Sequence, residues 1–146
     1  KGALPQKKGP SDLPLQEHQQ PAASRAQRGI NMQEARTRYE VLQQNDTCAY
    51  VRCLIETGRT HQIRRHFAAI GHPVAGDSKH GDFAFNRDIK ARWGLKRLFL
   101  HATHLEFPHP RDQKKTVIEC PLPEALNEVL TRAGLPQQRP APEATT

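Results

Sequence analysis

Acidic residues are scarce in this 146-residue chain: 15 Asp+Glu stand against 22 Lys+Arg, giving a formal charge of +7 and a pI of about 9.7. A surplus of that sign favours a polyanionic partner through phosphate neutralisation and counterion release. RNA or DNA is the leading ligand class, with plain solubility as the bland alternative. Long apolar runs are missing too. No stretch approaches the roughly 18 to 20 residues of a membrane span, and the first ten residues have no hydrophobic core of the signal-peptide kind. A soluble, cytoplasmic protein with no membrane partner is expected. Cysteines number three, Cys48, Cys53 and Cys120, with no C-x-x-C spacing. That argues against a disulfide framework or zinc ribbon, suits a reducing compartment, and leaves the thiols as small buried apolar residues. Internal repeats are absent. The first residue is Lys rather than Met, so the numbering is expected to start inside a longer protein or after processing.

The length suits one domain with its own core. Residues 1–30 are rich in Pro, Gln, Lys and Ser, and Leu4, Leu13 and Leu15 are their only large aliphatics before Ile30; they read as an extended loop or linker. Two β-rich runs follow, TRYEVLQ at 37–43 and AYVRCLI at 49–55, joined by the turn-forming Asn45-Asp46. Period two puts Tyr39 and Val41 on one face of the first strand, and Val51, Cys53 and Ile55 on one face of the second. Gly58 allows a sharp turn and Thr60 a cap for a helix over 61–70. On that helix Ile63, Phe67 and Ile70 form the apolar stripe, with His61 and Arg65 opposite and Arg64 at the flank.

Residues 72–85, HPVAGDSKHGDFAF, read as a functional surface loop. A short helix is expected at 87–93, β structure over 97–103 and 104–107, a strand near 116–120, and a last amphipathic helix at 123–133 through Leu126, Val129 and Leu130. Residues 137–146 read as a disordered tail. The domain proper is thus expected over 31–136.

Several short pieces carry chemistry in their order and spacing: Thr57-Gly58-Arg59-Thr60-His61-Gln62-Ile63-Arg64, then Gly71-His72-Pro73 and Gly76-Asp77, then Leu100-His101-Ala102 and His109-Pro110. Together they resemble the RluA-type RNA pseudouridine synthases, in which a GRTHQIR turn-helix, a GHP...GD loop and a FLHA..L.F.HP strand pair follow one another. The likeness covers roughly residues 37–123. His80-Gly81-Asp82, Asn86-Arg87 and residues 94–98 (GLKRL) look closest to members acting on large-subunit ribosomal RNA or transfer RNA.

The resemblance implies an α+β fold: a mixed, mainly antiparallel sheet with packed helices, here the C-terminal part of a larger catalytic domain. It implies isomerisation of uridine to pseudouridine without metal or organic cofactor, in an enzyme that is monomeric at full length. The family nucleophile is an aspartate within an HRLDxxTSG-like segment, followed by an aromatic residue on a later strand. Neither occurs in these 146 residues, so truncation upstream is expected, and the polypeptide by itself is expected to be inactive. Arg64 matches the arginine that pairs with that aspartate, holding it ionised against desolvation. Leu100 matches a leucine that packs near the target base. Arg59, Arg65, Lys79 and Arg97 are assigned to RNA phosphates. His61 and Gln62 are assigned either to RNA or to ordering the turn.

Two other readings stand beside this one. A non-catalytic RNA-binding module would keep the cleft without the aspartate. A metal-dependent hydrolase would use Asp77, His80 and Asp82. Histidine spacing speaks against metal: His61 and His66 are five apart, outside the i, i+4 pairing of a metal helix, and His101 and His104 belong on opposite sides of a strand. Beside Gly76 and Gly81, Asp77 and Asp82 are expected to make local turn hydrogen bonds.

Overall fold

Backbone pairing alone accounts for the first strands. The structure, a computed structural model, describes residues 1–5, 8–11, 15–16 and 32–136; the expected tail lies outside the described residues. Lys8–Ser11 (β1) has no apolar alternation yet is extended, and Leu15–Gln16 (β2) pairs antiparallel with Met32–Gln33 (β3). β1 runs beside Thr37–Gln44 (β4), Lys8 opposite Glu40 and Ser11 opposite Thr37. β4 in turn pairs with Ala49–Ile55 (β5), giving the order β1-β4-β5. A strand thus forms within a stretch whose side chains read as loop. Its neighbour offers unpaired N–H and C=O groups, and an edge ladder requires nothing more.

The β4–β5 hairpin follows the alternation of its apolar residues. Tyr39 lies opposite Cys53 and Val41 opposite Val51, while the register slips between Val41 and Gln43, leaving Leu42 as a bulge. At the tip, Asn45 Oδ1 accepts from the N–H of Thr47 (2.9 Å) and Cys48 (3.0 Å), closing the turn.

The next helix, α1, spans Gln62–Ala69. Its cap is not Thr60. His61 occupies that position in the left-handed region (φ 54) with no side-chain cap bond, a conformation costing a β-carbon residue roughly 1–2 kcal/mol. The buried face also differs from the expected stripe: Gln62, His66 and Phe67 go inward, Ile63 is half-buried and Ile70 exposed. Polar side chains win that face because Thr37, fully buried, meets both Gln62 Nε2 (3.0 Å) and His66 Nδ1 (2.8 Å).

Helix α2, Phe83–Trp93, starts earlier than its apolar pattern suggests, since Asp82 Oδ1 accepts from Phe85 N–H (2.8 Å) and caps it. The β structure expected over 97–103 is not there. That segment is irregular, held by Phe99 N–H to the Ala75 carbonyl (2.8 Å) and by Arg97 curling its guanidinium onto the Leu98 and Leu100 carbonyls. An antiparallel pair follows, His104–Pro108 (β6) and Lys115–Glu119 (β7), then the helix Glu124–Arg132 (α3). Every ladder among the described residues is antiparallel, in keeping with the expected α+β layout and mainly antiparallel sheet of a partial domain.

Two apolar clusters hold these elements. Tyr39, Phe67 and Leu4, flanked by Val41, Val51, Cys53 and Ile63, join the sheet to α1; Tyr39 and Phe67 meet edge to face at 5.6 Å. Ile89, Trp93 and Leu95 pack with Leu126, Val129 and Leu130 between α2 and α3; each such side chain contributes about 1.5–3 kcal/mol. Asn45 Nδ2 bonds the Ala133 carbonyl (2.8 Å), tying the hairpin tip to the end of α3. The three thiols are free. Cys48 is buried and Cys53 half-buried, its thiol pKa pushed up to about 11 by burial, whereas Cys120 is exposed rather than buried as expected.

Candidate functional site

The turn between β5 and α1 is organised by one amide. Gln62 is 4% exposed; its Oε1 accepts from Thr57 Oγ1 (2.7 Å) and Arg59 N–H (3.1 Å), and its Nε2 donates to the Arg36 carbonyl (2.9 Å) and to Thr37. Those bonds use both ends of the side chain and order the turn. That turn and the left-handed His61 set the direction from which Arg64 leaves α1.

Arg64 meets a carboxylate inside this chain. Its Nε donates to Asp77 Oδ2 and its Nη2 to Asp77 Oδ1, each at 2.7 Å, a parallel fork. Arg64, matched above to an arginine whose aspartate lies outside these residues, is thus already engaged by a carboxylate within them. Asp77, expected to make local turn hydrogen bonds, does that as well: Oδ1 accepts from the N–H groups of Lys79 and His80, both at 2.8 Å. The pair is sheltered, with side-chain exposures of 15% for Arg64 and 0% for Asp77. Hydrogen bonds from Arg64 hold the Asp77 carboxyl well below the usual carboxylate range, the two backbone N–H groups add to this, and burial opposes it.

A pH dependence follows. Asp77 is depressed in the folded chain, so its contribution is complete above the unfolded value of about 3.9 and is lost as pH falls through the folded one. In urea titrations between pH 5 and pH 2, wild type should lose stability with a slope steeper than Asp77→Asn by up to one proton, about 1.4 kcal/mol per pH unit. Equal slopes would show that the fork does not form.

The loop carrying Asp77 is clamped from behind. Asn86 Oδ1 accepts from Gly76 N–H (2.8 Å) and its Nδ2 donates to the Asp77 carbonyl (2.9 Å). Gly76 lies in the left-handed region (φ +75), and a Cβ there would sit 2.1 Å from the Arg97 carbonyl oxygen; one on Gly81 would sit 2.0 Å from that of Asp77. This explains the glycines of the Gly76-Asp77 and His80-Gly81-Asp82 pieces as close approaches of backbone to backbone. His80 Nε2 lies 3.1 Å from His61 Nδ1, and burial, chiefly, holds the His80 imidazole below its ordinary value.

The remaining assigned residues spread around this centre. Lys79 is exposed on the same loop, Arg65 is half-buried on α1, and Arg59 is exposed with Nε on the Glu34 carbonyl (3.3 Å). Leu100 is half-buried, and its described bond is to Arg97 Nη2 (3.2 Å), not to Arg64. Asp82 is occupied as the α2 cap and by Lys1 Nζ (2.5 Å), and Asp77 by Arg64. Among the described residues no three metal-binding side chains gather, and no helix is long and apolar enough to cross a membrane.

Residues 3–69 match the family profile described as RNA pseudouridylate synthase, reaching upstream of the motifs that begin near residue 37. The ribosomal large subunit pseudouridine synthase C of Vibrio cholerae is 40% identical over 102 residues, covering 70% of this chain and 32% of that protein. The tRNA pseudouridine synthase C of Salmonella typhi is 46% identical over 79 residues, covering 54% of this chain and 30% of its own length. The chain thus spans about a third of the length of these curated relatives. Among solved structures, human RNA pseudouridylate synthase domain containing 4 superposes with a TM-score of 0.65 at 26% identity, covering 90% of this chain and 59% of that one.

Proposed function

The chain belongs to the RluA-type RNA pseudouridine synthases, and from that premise we propose that the whole protein isomerises uridine to pseudouridine in structured RNA. Its substrate is large-subunit ribosomal RNA or transfer RNA, the classes named in the relatives. In this reading residues 31–136 are the C-terminal part of the catalytic domain, led by a linker-like 1–30 and ended by a tail at 137–146, in a soluble, monomeric, cytoplasmic enzyme.

The supporting observation is the way Arg64 is held. Asp77 takes the Nε/Nη2 edge of the guanidinium, which leaves the Nη1/Nη2 edge for a second carboxylate. A nucleophilic aspartate arriving there meets a donor already fixed in place, and no reorganisation is needed when charge moves. In the reaction the bond from C1′ to N1 breaks, the uracil turns, the bond from C1′ to C5 forms, the C5 hydrogen leaves to water, and N1 takes up a proton from water. The aspartate attacks sugar or base to begin it. Leu100 walls the base, and Arg59, Arg65, Lys79 and Arg97 meet phosphates, with His61 at the mouth of the turn.

Tritium release from RNA labelled at uridine C5 tests this reading. The 146-residue polypeptide alone should release none. A longer product of the same reading frame carrying an HRLD-type aspartate should release it, and Arg64→Met in that protein should slow release about 100-fold or more. Release by the 146 residues alone would refute their inactivity; no release by the longer protein from either ribosomal or transfer RNA would refute the function.

A further inference from the structure

One face of α2 carries charge that the Arg64 site does not use. Phe83, Arg87 and Lys90 fall at i, i+4 and i+7, an exposed stripe beside the face that buries Ile89 and Trp93. With Lys96, Arg97 and Gly76 they line an open hollow of about 310 Å³. No carboxylate lines it. Among the described residues none of the four cations has an ion-pair partner, while Arg92, elsewhere on the same helix, pairs with Asp88 at 2.9 Å. Four like charges around one concavity repel one another and focus potential into it, so the hollow is complementary to an anion.

Phe83 narrows the ligand class. Its ring is 61% exposed at the start of α2, beside the cations. A free phosphate has no use for an aromatic face; a nucleotide whose base is unpaired does, because every base has a π-face to stack. We propose that this hollow is an accessory subsite for a single-stranded nucleotide of the RNA, its phosphate among Arg87, Lys90 and Lys96 and its base on Phe83. Gly76 lines the hollow and Asp77, the next residue, grips Arg64, so the subsite abuts the proposed catalytic centre. This inference deepens the RNA reading above and rests on it.

Binding of a short, labelled, uridine-rich single-stranded RNA to the 146-residue chain, measured across a salt series, tests it. Arg87→Ala/Lys90→Ala/Lys96→Ala should flatten the plot of log affinity against log salt by about 0.7, for the one phosphate no longer neutralised. Phe83→Ala should weaken binding about 5- to 100-fold with the slope unchanged. All four residues are exposed, so circular dichroism and melting should match wild type, and a variant that melts early is replaced by its Gln (for the cations) or Leu (for Phe83) counterpart. Variants that bind as wild type does, while the chain itself binds RNA, would overturn the subsite alone. A flattened slope with Phe83→Ala unaffected and heparin competing as well as RNA would reduce it to a general polyanion patch and overturn it. A wild-type chain that binds no RNA at all would overturn this proposal while the whole-protein reading is decided by the tritium assay, and loss of slope without tritium release in that assay would leave the subsite standing.

Discussion

Arg64→Met is expected to remove about 3–5 kcal/mol of unfolding free energy, the cost of leaving a buried charge without its partner. Asp77 has no exposed side-chain surface and no other cation among its described bonds, so the orphaned carboxylate must take up a proton or admit water. Trp93, the single tryptophan and a buried one, reports unfolding in urea. Adding Asp77→Asn to Arg64→Met should restore part of the loss, because the second substitution removes the stranded charge; a double variant less stable than Arg64→Met would contradict the account. Loss below 1 kcal/mol would mean the fork behaves as a surface ion pair.

The glycines of the loop behind Asp77 should be nearly as sensitive. Gly76→Ala combines a left-handed backbone, about 1–2 kcal/mol for a residue with a β-carbon, with overpacking against the Arg97 carbonyl, about 1–3 kcal/mol. Gly81→Ala keeps an ordinary backbone but drives its methyl to within 3.0 Å of the Asp77 carbonyl group and the Asn86 amide. Since the obstacle is backbone, relief requires moving Asp77, and Gly81→Ala should therefore also make acid stability resemble that of Asp77→Asn. Gly58→Ala, with nothing within 4 Å of the new carbon, is the control and should change stability by less than about 0.5 kcal/mol. Equal effects at positions 58, 76 and 81 would contradict the clamp.

What could be read from the residues, and what could not, divides along physical lines. The β4–β5 hairpin and α3 were legible because their apolar residues recur at the period of the element that buries them, and α1 was legible as a helix though not in the face it buries. β1 was not, because KGPS has no apolar pattern and pairs through its backbone. The run RLFLHAT has strand-forming composition, yet its carbonyls are claimed by the Arg97 guanidinium and one N–H by Ala75, so no ladder forms. On α1, hydropathy pointed to Ile63 and Ile70, while burial went to Gln62 and His66, whose hydrogen-bond partners lie on β4. The Arg64–Asp77 fork joins residues thirteen apart in a helix and a loop, beyond the reach of any local pattern. Its one trace was an acid set among apolar and glycine residues in Val74-Ala75-Gly76-Asp77. The cations of α2 were visible one by one, but their convergence on Phe83 required the helix to begin at residue 83.

Asn86 holds the backbone on both sides of the Gly76–Asp77 peptide from within α2. The helix bearing Arg87 and Lys90 and the carboxylate that aims Arg64 are thus fastened to a single amide. On the two proposals above, that amide also sets the gap between the phosphate grip and the target-base centre, and a strand whose spacing differs would satisfy one only by giving up the other.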